Sequence, residues 1–180
     1  ESGGKQKLLQ VSQPILTNND VEKIKRIENH TSGALKAHTI SICYDKKNNP
    51  KLKFDEILKT ICSSIEELII KKTCNIIILS DRDVNNEHIA IPALLATSAV
   101  HHHLIKKGLR TKVGLVVETG DARRVHDLCL LAGYGAEAIN PYLAFYTLSK
   151  IIRELSEEIS EEEAYDKYIK SVTKGMLKVM

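Results

Sequence analysis

The sequence predicts an α/β fold of about four parallel β/α units. Three observations carry this. Short β-branched or continuous apolar runs alternate with longer stretches of helical spacing between residues 38 and 154. One run, Ile76-Ile77-Ile78-Leu79, is apolar at every position, as suits a strand covered on both faces. Each later run stops at a polar cluster, Ser80-Asp81-Arg82, Glu118-Thr119-Gly120-Asp121 or Asn140, at the edge where parallel sheets meet ligands and neighbouring domains. Such units with right-handed crossovers make either a half-barrel or a small open sheet, and periodicity does not choose between them.

Residues 1–16 read as an extended arm. Thr17 and Asp20 are spaced as a helix cap, and Val21, Ile24 and Ile27 give a short amphipathic helix. The segment 38–43 alternates and reads as a strand; 46–50 is a turn. Helical spacing is clearest over 53–72, with acids in the first turn and Lys71 and Lys72 in the last. A strand follows at 75–80, a loop at 81–89, and a helix at 91–107 with Pro92 in its first turn and Gly108 as its stop. The spacing then predicts a strand over 112–118 and a helix capped by Thr119-Gly120-Asp121 and running to about Ala132. A short strand at 136–139 leads to Asn140-Pro141, read as N-cap and first helical residue of a helix to about Glu154. A last helix spans about 161–175.

The composition bounds the function. The chain has 180 residues, a net charge of +3 and only 4% aromatic residues, with no basic stripe, so no nucleic-acid partner is expected. No apolar run reaches the ~20 residues of a membrane span, so no membrane partner is expected either. Cys43, Cys62, Cys74 and Cys129 form no CxxC pair, and three of them lie in apolar segments, which favours a reducing compartment. The chain does not begin with Met and is expected to be cut from a longer polypeptide or processed.

His101-His102-His103 does not read as a metal site. On a helix, successive residues diverge by ~100°, so three in a row share no face. One packed, one interfacial and one solvated histidine is the expectation. Asp81 and Arg82 read as a charge-assisted pair that fixes their loop, or Arg82 meets an anionic ligand or a carboxylate of a neighbouring domain. Glu118 reads as a hydrogen-bond anchor or a base without partner, and Asp121 as an N-cap. Asn85 reads as a turn residue or as one that orders a small polar species. Neither GxGxxG nor GxxxxGK[ST] is present.

Taken together, Gln13-Pro14-Ile15-Leu16-Thr17, Leu79-Ser80-Asp81-Arg82, Ile91-Pro92-Ala93-Leu94-Leu95-Ala96, Ala99-Val100-His101-His102-His103-Leu104, Gly108-Leu109-Arg110-Thr111, Gly114-Leu115-Val116-Val117-Glu118-Thr119-Gly120, Gly133-Tyr134-Gly135-Ala136 and Ala138-Ile139-Asn140-Pro141-Tyr142-Leu143-Ala144 resemble the central domain of glutamate synthase. The match is strongest over 79–146. The resemblance implies a relative of the FMN-type TIM barrel that carries no cofactor itself. It implies a parent that makes two glutamates from glutamine and 2-oxoglutarate, with FMN and a 3Fe-4S cluster in another domain and reduced ferredoxin or a reductase subunit as electron source. It implies amidotransferase and FMN domains as partners within one chain, and a channel wall for ammonia between them. Tunnel-lining positions map onto Ser80 and Asn85; Asp81, Arg82, Glu118, Thr119 and Asn140 then structure loops or face an interface. Asp83 stands where the family usually has Gly. The domain reading is an arm and short helix at 1–29, the central α/β domain at 30–175, and the start of the FMN domain at 176–180. By itself the chain is expected to be catalytically inert and cytoplasmic, or plastid-located in a photosynthetic eukaryote. The rival reading is a free-standing α/β module for small anions.

Overall fold

A computed structural model describes residues 8–47, 53–155 and 159–180. The elements, in order, are α1 (Asn18–Lys25), α2 (Ile27–His30), β1 (Ala37–Ser41), β2 (Cys43–Asp45), α3 (Phe54–Ile70), β3 (Ile76–Ser80), β4 (His88–Ala90), α4 (Ala93–Lys106), a 3-10 turn (Arg110–Lys112), β5 (Gly114–Glu118), α5 (Val125–Gly133), β6 (Ala138–Asn140), α6 (Tyr142–Leu155) and α7 (Glu161–Val179).

Four strands form a parallel sheet in the order β1-β3-β5-β6. Each sheet strand lies beside the next in the chain, with no reversal of order. A doubly wound sheet reverses its order and carries crossover helices on both faces. Here Ile77, Leu79, Leu115, Val117 and Ile139 share one buried cluster with residues of α3, α4, α5, α6 and α7, so these helices all lie on one face. That is the plan of a half-barrel. The alternate residues Ile76, Ile78, Val116 and Ala138 face the other way, the side that is interior in a closed barrel. Leu16, Val21, Ile24, Ile27 and Leu35 plug that concave face instead of a second half-barrel.

The arm contributes to the sheet as well. Leu16 N–H donates to Ile139 O at 2.8 Å, Ile139 N–H donates to Pro14 O at 2.7 Å, and Ile15 bridges Ile139 in parallel. The Thr17–Asp20 spacing forms a full capping box at the start of α1.

Several boundaries differ from the sequence reading. The predicted strand 38–43 divides at buried Ile42 into β1 in the main sheet and β2 in a separate antiparallel ribbon with β4. Strand β4, three residues long, lies at the end of the expected loop 81–89. Helix α5 begins at Val125, because Arg123 and Arg124 N–H donate to Asp127, which caps the turn from inside. Asp121 is therefore not its N-cap. Asn140 ends β6 rather than capping α6, and Pro92 precedes α4 as its cap residue. Helix α7 runs past 175 to Val179, with Met176 buried. Of the turn at 46–50, residues 48–50 lie outside the described residues, as do 1–7 of the arm.

Candidate functional site

The polar clusters singled out in the sequence converge at the carboxyl ends of β3, β5 and β6. Register fixes this: Ser80 lies opposite Glu118, and Glu118 opposite Asn140. All three side chains point to the concave side and are buried. Glu118 is 1% exposed, so its charge requires partners. Ser80 Oγ donates to its Oε2 at 2.7 Å. Arg82 Nε donates to its Oε1 at 2.5 Å, and Lys25 Nζ, arriving from α1, lies 3.3 Å from the same oxygen.

Arg82 also reaches outward. Its Nη2 donates to Asn18 Oδ1 at 2.8 Å and to Asn140 Oδ1 at 3.4 Å. Its guanidinium lies over the Tyr142 ring at 4.2 Å, within cation–π reach. Asn140 Nδ2 donates to Leu16 O at 2.9 Å and to Asn18 Oδ1 at 3.1 Å. One network thus joins β3, β5, β6 and the entering arm.

Asp81 anchors a second group on the adjoining loops. It is 3% exposed and accepts from Thr119 Oγ1 at 2.5 Å and from Gly120 N–H at 3.0 and 3.1 Å. Burial first and the neighbouring Asp81 carboxylate second push the Tyr142 pKa well above the usual tyrosine range. Thr119 Oγ1 accepts from Asp121 N–H at 3.0 Å, and Asp121 Oδ2 accepts from the first N–H of α4, at Ala93, at 3.3 Å. Asp121 so caps a helix, but α4 rather than α5.

Asn85 stands apart. It is exposed, and its Oδ1 accepts from Glu87 N–H at 2.8 Å and His88 N–H at 2.9 Å, which turns the chain into β4. Asp83 is exposed, and positive φ among described non-glycine residues falls only at Ser32 and Lys72. An Asp fits that backbone without strain.

The donors at these strand ends are committed to internal acceptors, and buried side-chain polar atoms among the described residues all have partners. No three His, Cys, Asp or Glu side chains among the described residues gather as metal ligands. Burial raises the thiol pKa of Cys62 and Cys74, and burial also dominates the rise at Cys43. Dispersed thiols of this kind do not fit an iron–sulfur cluster, and the spent donors do not fit a flavin phosphate.

The histidines separate as their angular spacing requires. His101 packs beneath Gly135 and accepts from Arg110 Nε at 3.0 Å; His103 bridges to Glu66 of α3 at 2.8 Å; His102 is exposed. Sequence reasoning gave no role to Arg110, which lies in the short turn before β5. It also donates to Val113 O, Gly135 O and Glu137 Oε1, each at 2.8 Å. Its signal in the sequence, one Arg in a basic turn, has no spacing to distinguish it. Beside it a cavity of about 750 Å³ opens at the amino ends of the strands, lined among others by Leu9, Val11, Ile76, Val116 and Ala138.

A parallel β/α half-barrel with a plugged concave face and self-satisfied strand ends defines an α/β domain of the barrel class. A mutant flavocytochrome b2 with benzoylformate has a similar fold, with a TM-score of 0.57 and 13% identity, covering 90% of this chain and 47% of that one. The family model for the glutamate synthase central domain matches residues 1–180, and the chain belongs to that family. It is 43% identical over 169 residues to the glutamate synthase [NADPH] large chain of Bacillus subtilis, covering 93% of this chain and 10% of that one. It is 36% identical over 174 residues to the glutamate synthase [NADH] of Schizosaccharomyces pombe, covering 96% and 8%. It is 34% identical over 186 residues to the ferredoxin-dependent glutamate synthase of the alga Antithamnion sp., covering 97% and 12%. The chain thus spans about a tenth of the length of these relatives. No helix among the described residues is long and apolar enough to cross a membrane.

Proposed function

We propose that this chain is the connecting domain of a glutamate synthase, holding the amidotransferase and FMN domains of its parent at a fixed separation and forming part of the wall along which ammonia passes. In this reading the parent converts glutamine and 2-oxoglutarate to two glutamates, its FMN and 3Fe-4S cluster lie in other domains, and the present residues do no chemistry. The three relatives above are named for different electron donors, so no one donor is carried over. The reading places the parent in the cytoplasm or a plastid.

The observation that carries this reading is the closed network at the strand ends. Barrel enzymes use that rim to hold reacting groups. Here Ser80, Arg82, Glu118 and Asn140 hold each other and the arm. A rim spent on its own cohesion suits a rigid spacer. The anion-module reading needs unspent N–H or hydroxyl donors at the same rim, and Ser80, Thr119, Gly120 and Asn140 have none to spare.

The test uses the full-length parent. Ser80 and Asn85 are the proposed wall positions, and Asn85 also shapes the loop that ends at β4. In the Asn85→Ala enzyme, glutamine consumption runs ahead of glutamate formation, measured as the ratio of the two in one assay. An unchanged ratio removes Asn85 from the wall.

A further inference from the structure

The two edges of the parallel sheet are treated differently. Beyond β6, the arm residues Pro14–Leu16 pair with Ile139 and close the sheet. Beyond β1 no strand of the described residues is paired.

The direction of each β1 peptide follows from its flanking bonds. Ile76 N–H donates to Lys36 O, and Ile42 N–H donates to Ser80 O. In a parallel ladder the bonding residues alternate. Lys36, His38, Ile40 and Ile42 therefore turn their peptide groups to β3, while Ala37, Thr39 and Ser41 turn theirs outward. His38, Thr39 and Ser41 are exposed, whereas β3 and β6 are buried at every residue. Proteins guard such edges with Lys, Pro, a bulge or a covering element. The strand Ala-His-Thr-Ile-Ser has neither Lys nor Pro, and its register with β3 runs unbroken over five pairs.

We propose that β1 is a docking edge, completed in the parent by an extended segment of the same polypeptide from outside these 180 residues. The relatives are about ten times longer than this chain, so such a segment has ample sequence to come from. It would add to the sheet through the outward N–H and C=O groups of Ala37, Thr39 and Ser41. Register also sets its side-chain pattern. Ile40 packs with the helix-covered core, so the segment's apolar residues fall on that face. Small or polar residues fall beside Thr39 and Ser41. The inference rests on the chain's being part of a longer glutamate synthase, but not on the ammonia-wall role. A Ser80 or Asn85 variant that fails to uncouple the reactions leaves it untouched.

The test is amide hydrogen exchange in the full-length parent, resolved by residue. Protection of Ala37, Thr39 and Ser41 within on the order of tenfold of that of His38 and Ile40 is the expected result. The variant Thr39→Pro sharpens it, since its lost N–H points away from β3 and an edge strand tolerates Pro there. Exchange at Ala37 and Ser41 should then rise at least about tenfold, with Ile40 unchanged. Fast exchange at the three outward amides in the unmodified parent, beside slow exchange at His38 and Ile40, overturns the proposal. Protection that depends on protein concentration points to a second copy and overturns it too. Protection that persists in the 180 residues alone places the cover within this chain and has the same consequence.

Discussion

At the carboxyl ends of the strands, two buried carboxylates, Glu118 and Asp81, collect donors from β3, from the loops after β3 and β5, and from helix α1. At the amino ends, Arg110 ties the turn before β5 to the loop before β6, Asn75 ties the start of β3 to the loop before β1, and a cavity of about 750 Å³ lies beside them. The polar residues are therefore concentrated where a barrel enzyme would hold substrate, yet they are occupied with one another. The open space is at the opposite end, where barrels are built for stability. A dense set of charged residues at a strand end is not by itself a reaction centre; the deciding question is whether any donor or acceptor is left over.

Removing the carboxylate at the carboxyl rim should give the largest effect. Glu118→Ala removes three charge-assisted bonds at once: it strips Arg82 of its carboxylate, leaves Lys25 with Glu22 alone as counter-charge, and leaves the buried Ser80 hydroxyl without its acceptor. The expected loss is about 3–5 kcal/mol, read from urea unfolding of the folded protein. A loss below ~1 kcal/mol would show that the rim behaves as an exposed ion pair and would break the contrast.

The amino end is vulnerable for steric reasons. Gly135 has φ +108°, and a Cβ there would lie 2.1 Å from His101 Nδ1. Gly135→Ala should cost about 2–4 kcal/mol through backbone strain and displacement of the imidazole. Thermal unfolding tests this; a variant as stable as the parent means that the His101–Arg110 pair moves freely.

The smallest effect is a dependence on pH. Burial first and Arg110 second hold the His101 pKa below the ordinary histidine range. The fold thus favours the neutral ring, whose Nδ1 accepts from Arg110. This contribution is complete above the unfolded pKa of ~6.5 and is lost as pH falls through the folded pKa, because the unfolded chain then binds the proton more readily. His101→Gln should flatten stability against pH on the acid side of neutrality. An unchanged slope assigns the acid sensitivity to other groups.

The parallel sheet was legible because its signal is periodic and long. Ile76–Leu79 suits a strand covered on both faces, and α3 repeats its apolar positions over four turns. Half-barrel against open sheet was not legible, since it depends on which strands are neighbours. The β2–β4 ribbon escaped because three-residue strands carry too little pattern, and Ile42 continues the alternation across the break. The helix start after β5 was misplaced because Thr119-Gly120-Asp121 has the chemistry of a cap. Asp121 does cap a helix, but one 28 residues earlier in the chain. At the candidate site the residues were legible and their partners were not. Lys25 and Asn18, which complete the network around Glu118 and Arg82, come from a helix whose sequence speaks only of its own cap and apolar face. The Asp83 position raised a question about backbone shape that its ordinary φ answers.

The pairing of Ile15 with Ile139 spans 124 residues, and it sets an order of assembly. During synthesis the arm emerges early, but the edge that receives it does not exist until β6 has left the ribosome. Residues 14–16 must wait, with their apolar side chains uncovered, while the β1-β3-β5 ladder forms by shorter closures. Sealing that edge is therefore a late event in the making of the domain, and whatever polypeptide precedes the arm is drawn into place only after nearly the whole half-barrel has been translated.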